Sequence, residues 1–219
     1  MTLVLRSQLR TEIESSVTDA TLGSGTLTRH TVRKLDGGSL WLVATGIGRP
    51  RLWQYATRAA LAGFERGAVQ NLTGLARLQA GMTSAQRNLM AAGDALVEHE
   101  PPDAALVALA LEGSSAHILC LGTMRGYLHR QRETRRLTPR NEQEGGLLTS
   151  SATAVTEPIR SGDLLMLGSA SAFSTRAVGR VAAALQGDYR APASMLATLL
   201  TEPAKKAGVG AAAVIVRIH

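Results

Sequence analysis

The chain has 219 residues, a length that fits one domain with a substantial buried core. Hydrophobic residues make up 45% and charged residues 19%, as in ordinary soluble globular proteins. No apolar run approaches the roughly 20 residues of a membrane-spanning helix, and residues 1–10 are too charged for a secretory signal. The single cysteine, Cys120, excludes an internal disulfide framework and favours a reducing cytoplasm.

The formal net charge of +7 raises the question of an anionic partner. Arginines are spread along the whole chain, with one denser run between positions 130 and 140, and aromatic residues make up only 3%. Nucleic-acid binders usually cluster basic residues or interleave them with aromatics, so a solvated basic surface is the preferred interpretation. The alternatives for the dense run are a nucleic-acid site or the flanks of an exposed hairpin. Its members are Arg130, Arg132, Arg135, Arg136 and Arg140.

Residues 3–34 show short alternating stretches around a Gly23-Ser24-Gly25 turn, which is not a phosphate loop because no Gly-Lys-Ser/Thr follows. A buried strand is predicted over Ser39–Thr45. Pro50 suits a first helical position, and apolar residues then recur at helical spacing. These are Trp53, Ala56, Ala60 and Phe64.

A capping box at Thr83–Gln86 predicts the start of a second helix, which Pro101 and Pro102 terminate. Three consecutive antiparallel strands are predicted next, over Ala104–Leu111, Ala116–Leu121 and Gly126–Arg130. Later elements are a strand over Asp163–Leu167, helices around Val181 and Leu196, and a last strand over Ala213–Ile218. This order lacks the strict alternation of a doubly wound sheet and favours an antiparallel core with helices on its faces.

Segments of the chain, taken in order, resemble the motifs of the PPM (type 2C) serine/threonine protein phosphatases. Residues 40–48 read Leu-Trp-Leu-Val-Ala-Thr-Gly-Ile-Gly and are similar to the family's apolar strand ending in Asp-Gly-Met-Gly-Gly. Residues 118–128 read Ile-Leu-Cys-Leu-Gly-Thr-Met-Arg-Gly-Tyr-Leu, similar to Asn-Val-Gly-Asp-Ser-Arg-Ala-Tyr-Leu. Residues 161–171 read Ser-Gly-Asp-Leu-Leu-Met-Leu-Gly-Ser-Ala-Ser, similar to Pro-Gly-Asp-Leu-Leu-Leu-Leu-Cys-Ser-Asp-Gly. Residues 208–218 resemble the family's closing Asp-Asn-Ile-Thr-Val-Val-Val-Val strand.

The resemblance covers nearly the whole chain and implies an α+β fold in a single domain, residues 1–219. Its architecture would be a four-layer α/β/β/α sandwich of two antiparallel sheets flanked by helices. The connection over residues 138–159 is short, whereas many family members carry a longer flap there, so we expect an open cleft.

The resemblance also implies a site for two Mg²⁺ or Mn²⁺ ions held by carboxylates at the edge of the sandwich. At the matching positions, Thr45, Ala170 and Val209 replace aspartates, Gly210 replaces an asparagine, and Thr123 replaces the aspartate of Gly-Asp-Ser. Hard divalent cations need oxygen ligands, usually anionic ones, so we expect no catalytic residues and no metal. The expected vestigial active-site cleft is bordered by Thr45, Gly46, Thr123, Ala170, Val209 and Gly210.

In active relatives an arginine before an Asn-Glu-Asp motif contacts the substrate phosphate. That motif is missing here, and its place falls near His30. Arg29, and secondarily Arg33, are therefore candidate contacts for a phosphate or an acidic segment, with ordinary surface arginines as the alternative. Cys120 is interpreted as a buried strand thiol and Asp163 as a turn-capping residue.

These observations predict a catalytically inactive pseudophosphatase without a cofactor, a cytoplasmic regulatory module that binds a protein partner, phosphorylated or acidic. The alternative function is an active Mn²⁺- or Mg²⁺-dependent serine/threonine phosphatase with unusual ligands. The five histidines are scattered without ligand spacing and predict no zinc site.

Overall fold

The computed structural model describes residues 10–69, 71–96, 101–140, 145–187 and 190–219. Two antiparallel sheets pack face to face, and a pair of helices covers the outer face of each. This arrangement confirms the predicted four-layer α/β/β/α sandwich. Across the described ranges, no helix combines the length and apolar character needed to cross a membrane.

The elements follow one another along the chain in two strand-rich halves, each with its own helix pair. The strands are β1 (Thr11–Leu22), β2 (Gly25–Leu27), β3 (His30–Leu35), β4 (Leu40–Ile47), β5 (Asp103–Glu112), β6 (Ser115–Leu121), β7 (Arg125–Arg130), β8 (Glu133–Arg136), β9 (Thr153–Pro158), β10 (Leu164–Gly168) and β11 (Val209–Ile218). The α-helices are α1 (Trp53–Gly67), α2 (Gly74–Asp94), α3 (Thr175–Gly187) and α4 (Ala193–Lys206). One sheet has the order β2-β1-β11-β10-β7-β8 and the other β3-β4-β5-β6-β9.

The apolar strands are those with both faces covered. β4 and β11 lie inside their sheets, between the opposite sheet and a helix pair, so neither face meets water. That position explains their nearly continuous apolar sequences, from which a buried strand was predicted over Ser39–Thr45 and a last strand over Ala213–Ile218. The core between the sheets is aliphatic, and its members include Val43, Val107, Ile118, Leu128, Leu165, Val214 and Val216.

The first helix follows the prediction. A 3₁₀ turn over Pro50–Leu52 leads directly into α1. The four residues predicted to face the core are all buried.

The start of the second helix was predicted wrongly. α2 begins at Gly74 and runs through Thr83, whose hydroxyl donates to the Gln79 carbonyl at 3.0 Å instead of capping a helix. Tertiary packing overrides the low helix propensity of glycine here. A Cβ on Gly81 would lie 2.7 Å from the Phe64 ring, so the glycine lets α1 and α2 approach closely.

The three strands predicted to pair in succession do not lie in one sheet. β5 and β6 pair as predicted, but β7 crosses to the other sheet and pairs with β8 and β10. Gly122, with φ +76°, lies in the tight turn where the chain crosses. β6 is instead joined by β9, an exposed edge strand that its mixed sequence did not reveal.

The dense arginine run forms the β7–β8 hairpin and the segment that follows it, which confirms the hairpin interpretation. Several of its guanidinium groups are satisfied within the protein: Arg130 pairs with Asp163, and Arg135 pairs with Glu157. The described part of the connection after the hairpin, residues 145–159, is packed against the rest of the protein. Leu147 is buried against the helical side of its sheet, and β9 completes that sheet.

Candidate functional site

The six residues expected to border the cleft lie at one end of the sandwich, where strands of both sheets begin or end. β4 ends there at Ile47 and β10 at Gly168, while β7 and β11 begin there. Gly168 pairs with Arg125 of β7 on one side and with Ala213 of β11 on the other. The topology thus gathers the positions identified in the sequence: Thr45, Gly46, Thr123, Ala170, Val209 and Gly210.

His30 fills the centre of this end of the molecule. It pairs with Thr45 in the β3–β4 register, and its Nδ1 lies 3.0 Å from the Thr45 hydroxyl. The side chain is 2% exposed, and its Nε2 has no hydrogen-bond partner among the described residues. Burial, assisted by the positive charge of Arg29, lowers the pKa of His30 to about 4, although backbone groups of Val209 and Gly210 beside the ring oppose this shift. The imidazole is therefore neutral at pH 7.

A methionine occupies the space beneath Thr45 on the side of the other sheet. The Thr45 hydroxyl lies 3.4 Å from the sulfur of Met124, which is 1% exposed. The Met124 carbonyl accepts a hydrogen bond from the Cys120 thiol at 3.2 Å. Burial raises the pKa of Cys120 to about 12, so the thiol is protonated and has the buried strand position predicted for it. Neutral groups thus line the interior of the site.

Gly46 brings the end of β4 against the first turn of α1. A Cβ at this position would lie 2.6 Å from the Cα of Trp53, so no larger residue fits without moving the helix. Arg29 closes the same corner. Its Nε donates to the Gly46 carbonyl at 3.1 Å, its own carbonyl accepts from the Gly46 amide at 2.8 Å, and its guanidinium stacks 4.8 Å from the centre of the Trp53 ring.

Asp103 places a carboxylate on this edge that sequence reasoning did not single out. It pairs with Ile47 at the start of β5. Its oxygens accept hydrogen bonds from the amides of Ala104 (2.7 Å) and Leu148 (3.2 Å) and from the Thr149 hydroxyl (3.2 Å). Burial raises the pKa of this carboxyl against the effect of those donors. Asp103 therefore fastens the turn over residues 146–149 to the sheet.

The donor atoms at this end do not fit a pair of Mg²⁺ or Mn²⁺ ions. Such ions are held in proteins mainly by anionic oxygens. The side chains facing the site are a threonine hydroxyl, a neutral imidazole and a thioether, and the Asp103 oxygens are already engaged by backbone and hydroxyl donors. Within the ranges that the structure describes, no three His, Cys, Asp or Glu side chains are grouped so that they could hold a metal ion.

The remaining site residues differ in their surroundings. Thr123 and Ala170 are half-buried, and Val209 is 45% exposed. Arg33 does not join the group: it pairs with Leu42, three positions along β4 from Thr45, and forms an ion pair with Glu65 of α1 at 3.3 Å.

Sequence reasoning located the Asp-Gly position at Thr45 but missed two of the groups that surround it. Met124 directly follows Thr123 in a segment that the sequence analysis singled out, but its contact with Thr45 depends on the crossing between the sheets. Asp103 reaches the site through the β4–β5 register and belongs to no such segment. His30 was noted only as the approximate place of a missing motif. The local sign for its inward direction is that His30 shares a strand face with Val32, which packs against the core between the sheets.

Neither a protein-family profile nor a curated protein matches the sequence. Several solved structures match this chain, and the alignments cover nearly the full length of both proteins. The serine/threonine phosphatase PstP/Ppp of Mycobacterium tuberculosis has a TM-score of 0.77 at 17% identity, covering 95% of this chain and 99% of that one. The catalytic domain of PstP in complex with two manganese ions has a TM-score of 0.79 at 19% identity, covering 96% and 99%.

PppA, a key regulatory component of T6SS in Pseudomonas aeruginosa, has a TM-score of 0.75 at 16% identity, covering 95% of this chain and 98% of that one. At these identities the likeness establishes the fold. The chain has the fold of the PPM serine/threonine phosphatases.

Proposed function

We propose that this chain is a pseudophosphatase, a protein that keeps the PPM phosphatase fold but binds a protein partner without hydrolysing phosphoesters. The observation that carries the proposal is the neutral cluster of His30, Thr45 and Met124 at the position of the expected metal-binding aspartate. In this fold, divalent ions would supply the attacking hydroxide and offset the charge of the phosphate. A threonine, a neutral imidazole and a thioether supply neither function without such ions.

The same end of the molecule has the character of an anion-binding surface. Arg29 has no carboxylate partner among the described residues, and its guanidinium is held in place by the Gly46 carbonyl and the Trp53 ring. A preorganised guanidinium forms strong, charge-assisted hydrogen bonds with phosphate or carboxylate oxygens. Since the expected metal-binding aspartates are replaced by neutral residues, little fixed negative charge opposes an incoming anion. The proposed partner therefore presents a phosphorylated or acidic segment.

The proposed lack of phosphatase activity is tested with Mn²⁺, the metal bound in the structure of the PstP catalytic domain. We expect no heat of Mn²⁺ binding in calorimetry and no Mn²⁺-dependent hydrolysis of p-nitrophenyl phosphate by the full chain. An active metal-dependent phosphatase assayed in parallel shows that the conditions suffice. Hydrolysis that requires Mn²⁺ and disappears with EDTA would establish the alternative function, an active phosphatase with unusual ligands.

The binding role is tested with a short labelled phosphoserine peptide and its unphosphorylated form. Arg29→Gln keeps the length of the side chain and removes its charge. We expect it to weaken binding of the phosphorylated peptide about tenfold, the loss of one charge-assisted contact. Arg87→Ala, which removes an exposed arginine on α2, is the matched control. Equal affinity for both peptide forms would remove phosphate recognition and leave scaffolding of an unmodified partner.

A further inference from the structure

An open groove of about 550 Å³ lies at the opposite end of the sandwich from Thr45. The tip of the β7–β8 hairpin, the turn before β10 and the end of α3 form its walls. β7 begins at the first site with Arg125 and reaches the groove at Arg130. Five residue steps of extended strand place the two ends about 17 Å apart. The groove is therefore a separate surface.

The floor of the groove is neutralised by a buried ion pair. Arg130 donates to both carboxylate oxygens of Asp163, from Nε at 2.8 Å and from Nη2 at 2.6 Å. Asp163 is 1% exposed and also accepts from the Arg160 amide at 2.9 Å, which confirms its predicted role of capping the turn. The nearby Glu157 carboxylate pairs with Arg135 at 2.5 Å and more distantly with Arg130 at 3.5 Å.

The rim of the groove carries positive charge that these carboxylates do not balance. Arg132 and Arg160 are both exposed, and neither forms an ion pair with a carboxylate in the part of the chain that the structure describes. With the exposed Glu133 that follows Arg132, four guanidinium groups meet three carboxylates, and two of these carboxylates are engaged by Arg130 and Arg135. The rim therefore keeps a net positive charge beside the cavity.

The hairpin keeps a long cationic side chain at a position that favours glycine. Gln131 (φ +53°) and Arg132 (φ +69°) form the two-residue turn between Arg130 and Glu133, both in the left-handed region. Two-residue turns of this type usually hold Asn-Gly or Asp-Gly, because side chains are crowded in that conformation. Glycine would adopt this backbone conformation without strain, so the presence of arginine at position 132 indicates that its side chain has a role.

We propose that this groove binds an anionic segment of a protein partner, with phosphate or carboxylate oxygens held between Arg132 and Arg160. The guanidinium fork matches both oxyanions, and the Ser161 hydroxyl and the Gln186 amide line the same cavity as neutral donors. None of the described residues that line the groove is aromatic, so this part of it offers no stacking platform of the kind that single-stranded nucleic acids use. Cationic groups beside neutral hydrogen-bonding side chains suit an acidic or phosphorylated peptide as the occupant.

Binding is measured by fluorescence anisotropy on the full chain, with matched short peptides that carry a phosphoserine, a glutamate or a serine at one position. The affinity of the phosphoserine or the glutamate peptide falls about tenfold in Arg132→Gly and in Arg160→Ala, as expected when a charge-assisted contact is lost. It stays unchanged in Arg87→Ala, whereas Gln131→Gly, which relaxes the same turn without removing charge, weakens binding less than Arg132→Gly does. Comparing the first two peptides distinguishes phosphate from carboxylate as the source of the oxyanion.

Thermal unfolding checks that each variant is folded. Glycine adopts the left-handed backbone conformation of residue 132 more readily than arginine does, so a loss of binding in Arg132→Gly is not explained by a loss of structure. The proposal is overturned if neither anionic peptide binds saturably, or if Gln131→Gly weakens binding as much as Arg132→Gly. Tighter binding of a single-stranded DNA of equal charge also overturns it, in favour of a nucleic-acid surface. The series is run in an Arg29→Gln background, so that binding at the other end of the molecule does not mask a loss in the groove and the two sites succeed or fail separately.

Discussion

His30 and Thr45 face each other across the β3–β4 pair, with Nδ1 of the imidazole 3.0 Å from Oγ1 of the hydroxyl. Their exposed fractions are only 2% and 6%. A charged group at either position would need a partner, because burying an unpaired charge is costly. Two neutral side chains that hydrogen-bond to each other meet this requirement without a metal ion. The end of the sandwich can therefore be packed as a part of the core.

Acidification is expected to destabilise the protein through His30. Its pKa is about 4 in the folded state against an ordinary value of 6.5, so between these values the unfolded chain takes up a proton that the folded chain does not. The resulting stability is complete above pH 6.5 and is lost progressively as the pH falls towards 4. A shift of this size corresponds to about 3 kcal/mol in the free energy of unfolding. Urea unfolding at a series of pH values measures it.

The control for this prediction is His30→Asn, which removes the titrating ring. Its free energy of unfolding is expected to vary less steeply over the same pH range. Burial also lowers the pKa of His129, but that residue is present in both proteins and its contribution cancels. Identical slopes for the two proteins would contradict the assignment to His30.

The sequence predicted the buried elements because burial leaves a pattern. β4 and β11 are almost entirely apolar because both their faces are covered, and α1 repeats its apolar residues at the spacing of one helical face. Edge elements carry no comparable pattern. β1 and β9 alternate weakly because one side of each is open to water, and they were not predicted as strands.

The positions of the candidate site could be predicted, but its interior could not. Thr45 was singled out because it ends the recognisable apolar strand predicted over Ser39–Thr45. The contacts that define its surroundings depend on long-range register: Met124 is 79 residues away and approaches from the other sheet. No local spacing in the sequence encodes such a contact.

Replacing Gly46 by alanine is expected to loosen the junction between β4 and α1. The new Cβ would lie 2.6 Å from the backbone of Trp53, which cannot turn away as a flexible side chain could. Overpacking of this kind costs about 2–3 kcal/mol in the free energy of unfolding. The matched control is Gly179→Ala in α3, where no atom lies within 4 Å and alanine is expected to stabilise the helix by about 0.5–1 kcal/mol. Chemical denaturation of both variants checks the prediction, and equal effects would contradict it.

Introducing an aspartate at position 45 tests whether one added carboxylate is enough for Mn²⁺-dependent phosphoester hydrolysis. In Thr45→Asp the new carboxylate is expected to pair with His30 and raise the pKa of the imidazole by about one unit or more. Because Ala170 and Val209 still supply no ligand, Mn²⁺-dependent hydrolysis is expected to stay absent. An NMR titration of the His30 ring and a phosphatase assay measure the two outcomes. Mn²⁺-dependent activity in this single variant would mean that the other metal ligands are already present.

Removing Arg130 is expected to be the most damaging single arginine substitution in the β7–β8 hairpin. Burial raises the pKa of the Asp163 carboxyl, but Arg130 and the Arg160 amide outweigh it and hold the pKa below its ordinary value. Arg130→Ala leaves that buried carboxylate without its charged partner, which costs about 3 kcal/mol at pH 7. The loss should shrink as the pH falls, because without Arg130 burial raises the pKa of Asp163 and the carboxyl takes up a proton in the variant before it does in the unchanged protein.

Arg135→Ala provides the comparison, because the Arg135 side chain is 56% exposed and its partner Glu157 keeps a contact with Arg130. Although Glu157 is buried, it keeps the contact with Arg130, so removing the exposed Arg135 guanidinium costs only about 1 kcal/mol. Urea unfolding of the two variants at pH 7 should therefore separate them by about 2 kcal/mol or more. Equal losses would mean that Asp163 is stabilised chiefly by the turn amide of Arg160, and the neutral floor assigned to the groove would then not depend on Arg130.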